Sequence, residues 1–370
     1  MIFGNTYFMS FLAVRMELNE TNFRILGALS FAYYLGFVLG AFFIKRLIRR
    51  IGHIRSFTMF SIVFSILTIL MGLIPFIPLW IIIRIFHGLC IGGIFVIIES
   101  WLLLTANFEK RGRVFAIYMI GLYGTQVLSQ QILSYSEPNS FIPFIIVALI
   151  CSLSTVPISL KKIDYPNISK DSFLNIKEIL GISTLGFVTC FFSGITLSLI
   201  YSLMPYFLLQ KDFTLAQTGT LMGGVYFGAL SLQWPIGWLS DNVDRKKILI
   251  FVVFTSFLCS ATATFIVKQS YFYSFLSVVY LFGGLIFSLY PLGMSQICDY
   301  LKHHEIVGAS TIILFVFSIG SLVGPLTAPI VMKLYPENGF FLYTTIALGV
   351  FCIYSIWSLY PKTYETKFKE

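Results

Sequence analysis

Apolar residues fall along this chain in long runs separated by short polar breaks. A hydrocarbon core about 30 Å thick needs roughly 20 helical residues to cross it. Runs near 1–15, 25–44, 56–76, 78–101, 114–133, 141–160, 179–208, 215–239, 248–267, 271–297, 306–332 and 339–360 therefore predict twelve spanning helices. The breaks carry turn chemistry: Pro75 and Pro78, Glu137-Pro138-Asn139, Asp241 to Lys247, and Pro336-Glu337-Asn338. The first run is short, reaching only about 22 Å at 1.5 Å per residue. Gly4, Asn5 and Thr6 read like the middle of a helix, so the true start is expected upstream of Met1; the alternative is a partly lost helix.

Composition agrees with the pattern. Hydrophobic residues make up 57% of the 370 and charged residues 11%, with mean hydropathy +0.87. A soluble domain needs about a quarter of its residues charged, so lipid is the main solvent. The six cysteines sit inside apolar runs with no C-x-x-C pair, as small buried hydrophobes and not a disulfide frame or metal site. No cleavable signal pattern opens the chain.

Placement of charge explains the net +9. Numbering the loops alternately, one side collects Lys45, Arg46, Arg49, Arg50 and Arg55, then Lys110, Arg111 and Arg113. Lys161, Lys162, Lys170, Lys177, Arg245 to Lys247, Lys302 and the tail lysines follow on that side. The other side holds only Arg15, Arg24, Lys211, Lys268 and Lys333. Basic loops stay in the cytoplasm, so both termini are expected there, with added attraction to anionic lipid. Nucleic acid drops out as a partner.

The longest polar stretch, within 163–178, divides the chain into six spans (1–162) and six spans (179–370) joined by a cytoplasmic linker. The halves echo each other. Glu109-Lys110-Arg111-Gly112 after the fourth span matches Glu305-Ile306-Val307-Gly308 after the tenth, and an acid closes each preceding span, Glu99 and Asp299. Duplicated six-helix halves around a central site are a transporter architecture.

The stretch Gly237-Trp238-Leu239-Ser240-Asp241-Asn242-Val243-Asp244-Arg245-Lys246-Lys247 resembles the loop signature G-x-L-x-D-x-x-G-R-[KR] of the major facilitator superfamily. Gly237 would permit close helix approach, Asp241 sits at a helix end, and Arg245 and Lys246 can pair with acids on neighbouring helices. That makes a cytoplasmic latch; a short solvated loop is the plainer alternative. Asp244 stands where the motif has its second glycine. The matching first-half loop, Lys45 to Arg55, keeps that glycine as Gly52 but has Arg49 in place of the acid. Arg49, Arg50 and Arg113 can pair there with Glu99 or Glu109, or with lipid phosphate.

Arg84-Ile85-Phe86-His87-Gly88 resembles the family's R-x-x-x-G motif, whose Arg is tied to proton or substrate coupling. An intramembrane Arg normally faces a polar cavity or a partner, though Arg84 could also snorkel to the outer interface. His87 is a titratable candidate or a hydrogen-bonded helix contact. Tyr33 to Gly36, Leu47 to Arg55, Ile98 to Leu102, Glu109 to Val114, Gly283 to Leu292 and Gly320 to Pro325 are similar to the YcaD-like branch of the superfamily. The resemblance covers essentially the whole chain. It implies an all-α membrane protein of major facilitator fold with two pseudo-symmetric six-helix halves and alternating access.

The fifth span, Gly121 to Gln126, lacks the proline of the superfamily's drug antiporters, and no Asp or Glu sits mid-span. Amides and phenols in spans either line a path or join helices. Gln126, Gln130 and Tyr226 are the foremost path candidates, with Tyr290 beside them. His303-His304 point apart on a loop and make a poor metal site, and no Walker A sequence or catalytic set is present. The reading is a non-enzymatic, monomeric permease without cofactor that moves a small organic solute, with proton coupling left open. Multidrug efflux and a degenerate permease acting as a membrane receptor are the alternatives.

Overall fold

The structure is a computed structural model describing residues 1–105, 111–159, 181–267, 271–301 and 306–358. Its passes are α1 (Ile2–Leu18), α2 (Phe23–Ile51), α3 (His53–Leu73), α4 (Ile77–Thr105), α5 (Arg111–Leu133) and α6 (Ile142–Leu153), the last extended by α7 (Val156–Ser159). The second half runs through α8 (Thr184–Ser202) extended by α9 (Met204–Gln210), then α10 (Leu215–Asn242), α11 (Arg245–Ile266), α12 (Phe272–Cys298), α13 (Ile306–Leu334) and α14 (Gly339–Trp357). Eight of these helices are long and apolar enough to cross a membrane. The first pass is a helix of 17 residues reaching Leu18, slightly longer than its apolar run. The expected linker at 163–178 lies outside the described residues.

Helix ends follow local chemistry. Asn22 caps α2 by accepting from the Arg24 N–H, and Thr214 and Gln217 form a reciprocal capping box on α10. Arg15, in the last turn of α1, donates to the carbonyls of Pro138 and Ser140 at 2.9 and 3.1 Å, tying α1 to the α5–α6 loop. Within the spans, hydroxyls such as Ser30, Thr189 and Ser288 donate to the carbonyl four residues back. These buried hydroxyls thus spend their donors within their own helices.

Packing inside each half depends on glycine. A Cβ on Gly36 would overlap the Ile85 carbonyl oxygen, and one on Gly88 the Tyr33 carbonyl oxygen, so α2 and α4 touch backbone to backbone. The second half repeats this between α10 and α12, where Gly228 meets the Tyr280 carbonyl and Gly283 that of Val225. Helices α8 and α13 interlock likewise through Gly194 and Gly320. One register relates the halves: a single spacing carries Glu20 to Asp212, Gly36 to Gly228 and Gly52 to Asp244. Glu20 and Asp212 share a local shape too, with φ of 51° and 61°.

Gly52 and Asp244 hold their turns by different means. Gly52 has φ 85° and ψ 169°, a region that L side chains avoid. Asp244 has φ −52° and caps α11 by accepting from the Lys246 N–H at 3.0 Å. The motif glycine is thus replaced by an N-cap acid, and the turn needs no glycine.

The halves meet through α5 against α10, α2 against α13, and α1 against α8 and α9. These contacts concentrate at the far end of the bundle, the end that holds the α1–α2 and α9–α10 turns. Gly219 of α10 packs on the Gln130 carbonyl, and the Tyr206 hydroxyl donates to the Thr21 carbonyl at 2.8 Å. Gly27 of α2 sits over the carbonyl of Pro325 and the ring of Pro329. Pro329 has no N–H to give that carbonyl, and the glycine lets another backbone cover it.

Among the cysteines, Cys90, Cys151, Cys190 and Cys352 are buried and Cys259 and Cys298 half-buried, all with free thiols.

Candidate functional site

A cavity of about 200 Å³ lies between the halves, in the part of the bundle nearer the start of α1. Asn5 and Thr6 of α1, Tyr33 and Tyr34 of α2, and Tyr118, Tyr123 and Gln126 of α5 face it from the first half. Ser198 and Tyr201 of α8, Phe287 and Tyr290 of α12, and Phe317 of α13 face it from the second. Its wall is dominated by aromatic rings.

The rings form one packed unit at the junction of the halves. Phe287 stands edge-on to Tyr123, Tyr201 and Tyr226 with centroids 5.5, 5.7 and 5.8 Å away, and Tyr201 stacks on Tyr226 at 5.8 Å. Such pairs contribute about 0.5–1.5 kcal/mol each beyond burial. Gln126 Nε2 donates to the Tyr201 hydroxyl at 3.0 Å, joining α5 to α8. Gln126 Oε1 has no hydrogen-bond partner.

Of the path residues expected from sequence, Gln126 and Tyr290 line the cavity; Gln130, Tyr226, Arg84 and His87 do not. Tyr226 is fully buried behind Tyr201, with its hydroxyl unpartnered. Gln130 is also buried, its Nε2 donating to Ser129 and its backbone carbonyl under Gly219. Arg84 neither reaches the cavity nor snorkels to an interface: it is 1% exposed. Its guanidinium lies 4.3 Å from the Tyr33 ring centre and 5.9 Å from that of Phe8, and Nη2 donates to the Met9 sulfur at 2.7 Å. Its Nε and Nη1 have no partner. His87 is a helix contact, its Nε2 3.2 Å from the Thr68 hydroxyl and its ring edge-on to Phe8.

The latch residues are partly brought together. Arg245 Nη2 donates to Asp241 Oδ1 at 2.7 Å, and its Nε lies 3.4 Å from Asp299 Oδ2, linking α10, α11 and the end of α12. Lys246 and Asp299 flank a polar cleft of about 280 Å³ beside that pair. Gly237 makes no close helix approach: a Cβ there would meet nothing within 4 Å, which corrects its expected packing role. Glu109 and Glu305 lie outside the described residues, as do the side chains of Glu99 and Arg113.

The rings Tyr123, Tyr201 and Phe287 were not among the foremost sequence candidates. An aromatic in a span reads as lipid-facing or packing until the tertiary structure assigns its face. The signal present was the close spacing of Tyr118, Tyr123 and Gln126 on α5.

Two helical halves that interlock internally through glycine and enclose a central cavity define a multi-pass membrane transporter. The chain belongs to the Major Facilitator Superfamily, whose family model matches residues 1–182 and 186–370. It is 28% identical over 320 residues to the MFS-type transporter YcaD of Salmonella enteritidis PT4, covering 85% of this chain and 82% of that one. YcaD of Escherichia coli O17:K52:H18 is 28% identical over 322 residues, with the same coverage. Among solved structures, the nucleoside transporter NupG superposes with TM-score 0.76 at 12% identity, over 98% of this chain and 97% of that one. The D-xylose-proton symporter also gives 0.76 at 12%, covering 98% and 96%.

Proposed function

We propose that the protein moves a small organic solute across a bacterial cytoplasmic membrane by alternating access, with both termini in the cytoplasm and the cavity turned to that side. One observation carries the reading. The halves close on each other at the far end through Gly27 on Pro325 and Gly219 on Gln130, while the cavity occupies the opposite part of the bundle. Contacts made by bare backbone can separate and re-form without stranding a charge. Arg50 and Arg245 to Lys247 lie at the cavity end, which supports a cytoplasmic position for that end.

Asp241, Arg245 and Asp299 act in this reading as a latch at the cytoplasmic end, a role the sequence also suggests for Glu99, Glu109, Arg113 and Glu305. Proton coupling would have to use groups other than a cavity carboxylate, since none lines the wall among the described residues. The relatives YcaD are enterobacterial, which supports the inner membrane as the location.

The test is a pair of distances measured by pulsed electron resonance on spin-labelled cysteines in a cysteine-free background. One pair, at Arg50 and Lys247, reports the cavity end; the other, at Glu137 and Glu337, reports the far end. Alternating access predicts two populations in each pair, with one distance long when the other is short. A single fixed distance in both pairs, in detergent and in lipid, would refute the proposal.

A further inference from the structure

The cavity wall restricts what the solute can be, and this inference rests on the transporter reading. No Asp, Glu, Lys, Arg or His side chain is among those lining it in the described residues. An ion entering would leave water without meeting a charged side chain, which is strongly unfavourable in a low-dielectric site. The rings offset only part of this for a cation, since a desolvated cation–π contact is worth less than burying an unpaired ion costs. Arg84 already occupies one face of Tyr33 at 4.3 Å, so a second cation on that ring meets a like charge at short range. An anion fares no better. Arg84 does not line the wall, and its guanidinium is engaged by the Tyr33 ring and the Met9 sulfur, two residues that do.

What the wall offers is flat aromatic surface and a small set of neutral hydrogen-bonding groups. Tyr33, Tyr34, Tyr123, Tyr201 and Phe287 come from both halves. Gln126 is 3% exposed, lines the cavity, and has Oε1 without a partner while Nε2 is held by Tyr201. A buried amide oxygen is normally satisfied; a turn of the Gln126 side chain toward the cavity would offer this one to a donor on the solute. At the packing density of protein interiors, about 0.74, this volume houses roughly 150 Å³ of solute, on the order of ten non-hydrogen atoms.

We infer that the solute is an uncharged, flat aromatic or heteroaromatic molecule of about that size, carrying an N–H or O–H donor for Gln126 Oε1. Its ring stacks among the tyrosines, and organic cations and carboxylates are rejected. This departs from a lipophilic-cation efflux site, which needs a cavity carboxylate, and from anion carriage, which needs an accessible cation.

The experiment compares three probes sharing one ring: indole-3-ethanol (neutral), indole-3-acetate (anion) and tryptamine (cation). Binding to the purified full-length protein is measured by equilibrium dialysis at pH 7. The expected result is saturable binding of indole-3-ethanol, one per chain, with the charged probes at least about tenfold weaker. Gln126→Leu should weaken the neutral probe about tenfold. Gln126→Glu should turn the preference towards tryptamine, a gain that a merely unfolded variant cannot give. Equal or tighter binding of either charged probe to the natural chain overturns the inference. So does an absence of binding by all three while the spin-label distances still interchange, which would leave the transporter reading standing. Fixed distances would instead refute that reading itself.

Discussion

The guanidinium of Arg84 rests 4.3 Å from the centre of the Tyr33 ring, and no carboxylate pairs with it among the described residues. A cation over a ring in a desolvated place is worth about 2 kcal/mol, less than the cost of burying an ion alone. Tyr33 therefore serves twice, presenting one surface to the cavity and another to the charge behind it. Arg84→Met should leave the thermal midpoint unchanged or raise it, because replacing buried charge by apolar volume is often neutral or stabilising by about 1–4 kcal/mol. Tyr33→Ala should lower it, since the charge loses its ring. Thermal denaturation in detergent reads both. A fall of several degrees in Arg84→Met would mean that the cation has an anionic partner in the folded protein.

Glycines divide by what a side chain would meet. Ala at Gly36, Gly88, Gly228 or Gly283 must push two helix backbones apart, and each should cost about 1–3 kcal/mol as overpacking does. Ala at Gly121 or Gly124 meets nothing within 4 Å. It should leave stability unchanged or raise it by the helix preference of Ala over Gly, about 1 kcal/mol. Midpoints of the six single variants, ranked in one detergent, decide the matter.

The paired turns at Gly52 and Asp244 should differ in how much they depend on glycine. Gly52→Ala forces a side chain into a strained backbone region, at about 1–3 kcal/mol. Asp244→Ala removes a cap for about 1 kcal/mol, whereas Asp244→Gly costs only a few tenths. Equal losses for Asp244→Gly and Asp244→Ala would refute the capping role.

Arg245 should matter more to motion than to stability. Asp241 and Asp299 are well exposed and Arg245 is half-buried; with both acids open to solvent, each pair contributes about 0–1 kcal/mol. Arg245→Ala should shift the midpoint by no more than a few degrees. As part of a latch at the cavity end, it should change the ratio of the two spin-label populations. An unchanged ratio would reduce the Asp241–Arg245–Asp299 cluster to a solvated turn.

The sequence by itself determined the passes, the fold class and the family. Lipid demands runs of apolar residues with internally bonded backbones, and such runs can be read without knowing what packs on what. Arg245 beside an acid at a helix junction was legible for a similar reason, since Asp241 lies one turn away. The tertiary structure alone decided which polar groups face the path. A helix presents every side to something, and sequence cannot say whether that is lipid, a neighbour or a cavity. Gln126 and Gln130 lie one turn apart on α5, yet the first lines the cavity and the second is buried at the far-end closure. Arg84 demanded a polar surrounding by its charge and received rings and a sulfur instead, because Gly36 and Gly88 bring α2 against α4 there.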